Sequence, residues 1–224
     1  MPAALTVGPV TLAVPKGRSL AALVPLLARA GLDASSLLDD KDRSLVRDAA
    51  GLRFLLVKPD DVATYVERGI AQLGVCGRDV LREHEPDVLM PIDLGIARCK
   101  MMVCGGIGRP IPDDLPRVAT KYPRSAAAHF ARRGTQIDLV HLHGSVELAA
   151  VTGLADVIVD LVETGETLAK NGLEPKELVY DVSAMLVVNR AAAKLRRGEI
   201  EALLGKLRAA VDHAKSARAP SDLP

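Results

Sequence analysis

A short run of hydroxyls, carboxylates and one glycine stands out in the chain: Asp160-Leu161-Val162-Glu163-Thr164-Gly165-Glu166-Thr167. The β-branched stretch ahead of it reads as a buried strand ending in a carboxylate, and Thr164-Gly165 reads as the opening of a helix. Free backbone N–H groups at a helix start, the positive end of its dipole and two threonine hydroxyls together form an anion site. Gly165 lets an anion come close to the backbone. Asp160 and Glu163 can accept from sugar hydroxyls or hold water around Mg²⁺. A phosphorylated sugar suits such a loop; the plain alternative is that Thr164 only caps a helix and Gly165 only turns the chain.

A second group of candidates lies nearer the N-terminus. Lys16 and Arg18 follow a short apolar strand, and loops at the C-terminal ends of strands are where α/β sheets usually bind ligands; a solvated loop is the alternative. Arg43 is a candidate for the same anion-neutralising task or a surface arginine. Asp79, close behind Gly74 and Gly77, either reads a nucleotide or serves as a helix N-terminal aspartate. His141 and His143 alternate along a strand end with no further metal ligand at useful spacing, so they read as structural or loop residues, and no metal-binding residue is assigned. Cys76, Cys99 and Cys104 read as buried apolar fillers in a reduced chain.

The elements that must position these groups alternate along the sequence in the manner of an α/β protein with largely buried strands. Strands are expected at Val10–Val14, Arg53–Val57, Leu73–Cys76, Val88–Ile92, Lys100–Val103, Arg117–Ala119, Ile137–Leu142 and Val157–Leu161. A helix capped by Ser19 should run to Ala30, and another, capped by Asp60/Asp61, should end at Gly69. Shorter helices are expected over Asp79–Glu83, Ser125–Arg133 and from Ser145. Gly105–Pro116 reads as an exposed connection. Leu178–Asn189 reads as one long strand, Ala191 to about Ala214 as a closing helix, and Ser216–Pro224 as a frayed tail. Pro91–Arg98 is a plausible first crossing between two lobes, with the long strand crossing back.

Composition removes several classes of function. The 224 residues carry 29 Lys+Arg against 28 Asp+Glu, so no basic field attracts nucleic acid. Aromatics at 2% provide no base-stacking platform. No apolar run approaches the ~18 residues of a membrane span. No secretory signal is evident, because Met1–Val14 lacks a basic start and is interrupted by Gly8 and Pro9. A cytoplasmic protein is expected.

The spacing around the acidic loop extends far beyond TGxT. Glu147, Gly153-Leu154-Ala155, Ile158, Asp160-Leu161, Thr164-Gly165, Thr167 and Leu168 fall in the pattern of ATP phosphoribosyltransferases. Pro15-Lys16-Gly17-Arg18 resembles that family's N-terminal motif, and the segment from Gly69 through Gly74 and Gly77 to Leu81 resembles its central glycine-rich one. Cys99-Lys100, Arg117–Pro123, His143–Glu147 and Asn171-Gly172-Leu173 are similar as well. The likeness covers about Leu12 to Asn189. The chain departs from the pattern at His143, Ala150 and Glu163, where the family usually has Asn, Pro and a small hydroxyl residue.

The resemblance implies a fold of two α/β lobes like type II periplasmic binding proteins, with a ligand cleft between them. One lobe would comprise residues 1–95 plus 180–224, the other residues 96–179. The implied reaction is Mg²⁺-dependent transfer of phosphoribose from phosphoribosyl pyrophosphate (PRPP) to N1 of ATP, the first step of histidine biosynthesis. Residues Asp160 to Thr167 would then be the PRPP loop, and Glu147 would face the same site across the cleft. Lys16 and Arg18 would serve the pyrophosphate or the ATP phosphates, with Arg43, Gly74, Gly77 and Asp79 toward ATP. The family's short form depends on a regulatory subunit resembling histidyl-tRNA synthetase, in a hetero-octamer, and self-association is expected too. The rival readings are a non-catalytic solute-binding domain of the same fold and a phosphoribosyltransferase with another acceptor base.

Overall fold

The computed structural model describes residues 8–39 and 41–216. It divides the chain into two compact units. The first runs to Leu81, resumes over Glu85–Ala97 and takes up the chain again from Ser183; the second comprises Arg82–His84 and Arg98–Val182.

The first unit is built on a six-stranded sheet. Its strands are β1 (Thr11–Pro15), β2 (Val46–Ala49), β3 (Leu52–Val57), β4 (Leu73–Gly77), β5 (Val88–Asp93) and β11 (Ala184–Asn189), in the order β2-β3-β1-β4-β11-β5. β1 is parallel to β3 and to β4, while β2 and β11 run antiparallel to their neighbours. The β2–β3 hairpin, which the sequence pattern does not reveal, turns through Ala50 and Gly51, both at positive φ, as a two-residue turn matched to strand twist requires. Helices α1 (Arg18–Arg29) and α8 (Arg197–Ser216) bury leucines against one face. Helices α2 (Val62–Glu67) and α3 (Arg78–His84) cover the other with Val62, Val66, Val80 and Leu81. The last turn of α3 is grouped with the second unit.

The second unit holds a five-stranded sheet of β6 (Cys99–Gly106), β7 (Arg117–Thr120), β8 (Asp138–His141), β9 (Val157–Val162) and β10 (Leu173–Val182), ordered β10-β6-β9-β7-β8. Strands β7, β8 and β9 are parallel, and β6 is antiparallel to β9 and to β10. α4 (Pro123–Arg132) covers one face through Ala126 and Phe130. On the other face α5 (Glu147–Val151) and α6 (Glu166–Lys170) pack Ala149 and Leu168 against Ile158 and Cys104.

Several expected boundaries move. The first helix starts at Arg18 behind Gly17, whose φ of 79° and ψ of −139° only glycine adopts readily, so Ser19 is inside the helix and does not cap it. Asp60 and Asp61 form a short 3₁₀ turn ahead of α2 and give it no side-chain cap. The long strand expected over Leu178–Asn189 is two strands in two different sheets, parted at Ser183, with β10 beginning at Leu173. The closing helix is also two, α7 (Arg190–Leu195) and α8. They part at Arg196, whose buried guanidinium reaches Glu199 and the Gly8 carbonyl oxygen. Cys99 is half-buried, whereas Cys76 and Cys104 are fully enclosed. The expected tail beyond Ser216 lies outside the described residues. Among the described residues no helix is long and apolar enough to cross a membrane.

Candidate active site

In each sheet the chain leaves one strand, adds the next parallel strand on one side and the following one on the other. The loops leaving two such strands diverge at their C-terminal ends, and open α/β sheets bind ligands there. In the first unit the diverging strands are β1 and β4; in the second they are β7 and β9. The sequence-derived candidates other than Gly74 and Arg43 lie in the parts of the chain around these two points.

At the first point, Lys16, Gly17 and Arg18 lead from β1 into α1, and both cations are exposed. The Lys16 N–H donates to the Val57 carbonyl oxygen at 3.2 Å, which fixes the loop against β3. From β4, Gly77 opens α3 and Asp79 lies in its first turn, buried to 7% exposure. The Asp79 carboxylate folds back over Gly77 so closely that a Cβ there would lie 2.1 Å from Oδ1. Burial pushes the Cys76 thiol up to about 12, and the carboxylates of Asp79 and Asp60 reinforce the shift. Arg78 beside them is committed to Asp93 at 2.9 Å.

Gly74 has a different explanation. It is buried in β4 beneath α2, and a Cβ there would meet Val66 Cγ2 at 2.7 Å and Val62 Cγ1 at 2.8 Å. Close helix–strand packing accounts for this glycine. Arg43 is exposed in the segment ahead of β2.

At the second point, strand alternation along β9 puts Ile158, Asp160 and Val162 on the α5/α6 face and Val157, Val159 and Leu161 on the α4 face. Asp160 is therefore the one carboxylate, half-buried between Ile158 and Val162, in an otherwise apolar row. Burial pushes the Cys104 thiol up to about 12, with Asp160 and Glu147 adding to the shift, so both carboxylates act on one sulfur. Glu147 thus belongs to the same unit as the loop, half-buried on the first turn of α5.

Beyond Asp160 the chain rises to the surface. Glu163, Thr164, Glu166 and Thr167 are exposed, and Leu161, Val162 and Gly165 are half-buried. Gly165 adopts φ 78°, ψ 1°, a left-handed conformation, and the Glu166 N–H donates to Thr164 Oγ1 at 3.4 Å. α6 is only five residues long and too short to sustain much of a macrodipole. An anion here would depend on loop N–H groups and the two threonine hydroxyls. Leu168, buried under the loop, anchors α6 to the sheet.

Sequence reasoning gave no role to Thr120. Its hydroxyl donates to the Val159 carbonyl oxygen at 2.6 Å and accepts from the Tyr122 N–H at 2.8 Å, which ties β7 to β9 where their loops part. The one available signal was a threonine ending an apolar strand. His141 and His143 lie with ring centroids 4.8 Å apart, and among the described residues no group of three or more His, Cys, Asp or Glu could hold a metal ion.

Comparison with known proteins decides what this framework is. A family model described as ATP phosphoribosyltransferase matches residues 58–209. The chain belongs to the ATP phosphoribosyltransferase family. The ATP phosphoribosyltransferase of Sorangium cellulosum is 54% identical over 204 residues, covering 90% of this chain and 96% of the relative. That of Pseudomonas aeruginosa is 48% identical over 205 residues, covering 90% and 97%. A solved ATP phosphoribosyl transferase (HisG:HisZ) complex from Thermotoga maritima superposes with a TM-score of 0.76 at 33% identity, covering 91% of this chain and 99% of that one. The protein is therefore a pentosyltransferase of histidine biosynthesis, of the short ATP phosphoribosyltransferase form. The periplasmic aliphatic sulphonate binding protein SsuA of Escherichia coli has a TM-score of 0.59 at 14% identity, covering 95% of this chain and 76% of that one. That likeness shows the fold alone: an α/β fold of the type II periplasmic binding protein kind, shared by an ATP phosphoribosyltransferase.

Proposed function

We propose that this chain transfers the phosphoribosyl group of PRPP to N1 of the adenine of ATP and releases pyrophosphate. The loop Asp160–Thr167 carries the reading: a carboxylate stands two residues before the end of β9, a left-handed glycine follows, and two threonine hydroxyls flank it where β7 and β9 diverge. The hydroxyls and loop N–H groups suit a 5′-phosphate, and Asp160 suits the ribose hydroxyls. Lys16 and Arg18 suit the opposite requirement, neutralising the diphosphate that departs or the ATP phosphates.

The adenine N1 lone pair forms the new bond to C1′ of the ribose. The C1′–O bond breaks, and its electron pair leaves on pyrophosphate. No protein nucleophile or general base is needed, so positioning and charge stabilisation are the chain's tasks. Asp160 and Glu147 are hard oxygen donors that fit a Mg²⁺ ion carried in on the substrate diphosphate, whose charge it would offset. We further propose that the chain works in the cytoplasm, self-associates, and assembles with a regulatory subunit resembling histidyl-tRNA synthetase in a hetero-octamer; the complex named for the T. maritima neighbour supports this assembly.

The test is to incubate the purified chain with ATP, PRPP and Mg²⁺, with and without such a subunit, and to measure product mass and pyrophosphate. A phosphoribosyl-ATP mass dependent on all three reagents supports the proposal. Absence of product together with absence of PRPP binding, in both preparations, overturns it.

A further inference from the structure

We infer that Lys100 is a donor-binding residue: its ammonium group contacts an oxyanion of the phosphorylated sugar at Asp160–Thr167. The inference rests on the function proposed above and deepens it.

The loop has a charge deficit. Asp160, Glu163 and Glu166 supply three carboxylates in eight residues, and the loop contains no Lys or Arg. A phosphate dianion brought within a few ångströms of these groups is repelled unless a cation comes from another element. The sheet supplies one. Because β6 runs antiparallel to β9, β6 begins where β9 ends, and the register pairs Cys104 with Ile158, Met102 with Asp160 and Lys100 with Val162. Cys104 and Met102 pack with the cluster formed by α5 and α6. Alternation therefore sets Lys100 on that same face, one step beyond Asp160 and directly beside the residue from which the loop departs. Opposed residues in such a pair have Cα atoms about 5 Å apart, so a flexible four-carbon stem reaches the loop.

Lys100 is also uncommitted. It is exposed, and among the described residues its ammonium group makes no hydrogen bond or ion pair, although its other cross-strand neighbour is Asp181. Three other cations of this unit are engaged: Arg117 on Asp156, Arg133 on Glu177, and Lys121 5.8 Å over the Tyr122 ring. Holding a lysine opposite an aspartate without closing the pair leaves its charge available to a ligand.

The test compares Lys100→Met, which keeps the stem, with Lys100→Arg and Asp181→Asn in the complete enzyme, including the regulatory subunit if the wild type requires it. Lys100→Met should raise the KM for PRPP about tenfold or more, leave that for ATP within about twofold, and leave the thermal midpoint unchanged. Lys100→Arg should recover most of the loss, and Asp181→Asn should not raise the KM for PRPP. An unchanged KM for PRPP in Lys100→Met, a rise confined to ATP, or equal losses in Lys100→Met and Asp181→Asn would each overturn the inference while leaving the proposed reaction intact. A wild-type enzyme that neither forms product nor binds PRPP removes the proposed function and this inference with it.

Discussion

Gly74 separates a packing role from a ligand-binding role, and its replacement by alanine tests which one it has. A single methyl placed there would lie 2.7 Å from Val66 Cγ2, 2.8 Å from Val62 Cγ1 and 3.3 Å from Val187 Cγ2. All three valines are fully buried, and β-branched side chains have little χ1 freedom with which to retreat. The methyl must therefore lift α2 from β4 or force the valines off rotamer, at a cost of about 1–3 kcal/mol. With a urea dependence of about 2 kcal/mol per molar, the midpoint should fall by about 0.5–1.5 M. The chain has no tryptophan, so circular dichroism at a helix wavelength is the suitable probe. Adding Val66→Ala vacates the 2.7 Å contact, and the double variant should recover at least about 1 kcal/mol relative to additivity. A Gly74→Ala protein with the wild-type midpoint and weakened ATP affinity would refute the packing account and return Gly74 to the nucleotide.

Three further outcomes are expected. Arg18→Ala should lower turnover or weaken substrate binding without changing the unfolding midpoint, because the side chain is exposed; wild-type kinetics would remove it from the site. Asn189→Ala should destabilise the first unit by about 2–4 kcal/mol. That side chain accepts from the Ala192 N–H at 2.9 Å to cap α7 and donates to the Val66 and Glu67 carbonyl oxygens at the end of α2, and urea unfolding measures the loss. The Arg117 guanidinium and the Arg117 backbone N–H hold the Asp156 carboxyl below its ordinary value. A depressed folded-state value contributes stability above the unfolded value that disappears as pH falls through the folded one. The stability difference between wild type and Asp156→Asn should therefore shrink from about pH 5 toward about pH 2, and a constant difference would contradict the assignment.

The parts of the fold legible in sequence were those governed by short-range chemistry. Buried stretches such as Leu73–Cys76 and Val157–Val159 are continuous runs without a polar side chain, and Gly31 and Gly69, both at positive φ, mark helix ends. What was not legible depended on partners distant in sequence. β2 is a polar four-residue edge strand defined by its pairing with β3. Nothing local distinguishes Val182 from Ala184, yet one belongs to each sheet. The break at Arg196 comes from a long-range contact with Gly8. Among the site residues, the acidic loop was legible because its hydroxyls and glycine are contiguous. The reason for Gly74 was hidden because it lies in the valines of α2, and Lys100 acquires its meaning from the β6–β9 register.

The near-zero net charge conceals a division of labour. At the first divergence point the exposed loop offers Lys16 and Arg18; at the second the chain offers the half-buried Asp160 and the exposed Glu163 and Glu166. A uniformly basic site would bind polyphosphates tightly and hold pyrophosphate as firmly after the reaction as before it, which adds to ground-state binding without raising turnover. In the reaction proposed above, carboxylates beside the ribose would favour the positive charge that develops at C1′ as the bond to pyrophosphate breaks, and cations would be of most use where negative charge accumulates on the leaving group. On this account Glu163→Gln should tighten PRPP binding and lower turnover together, as measured by KM and kcat, and a gain in both would show that the acidic loop serves no electrostatic purpose in the transition state.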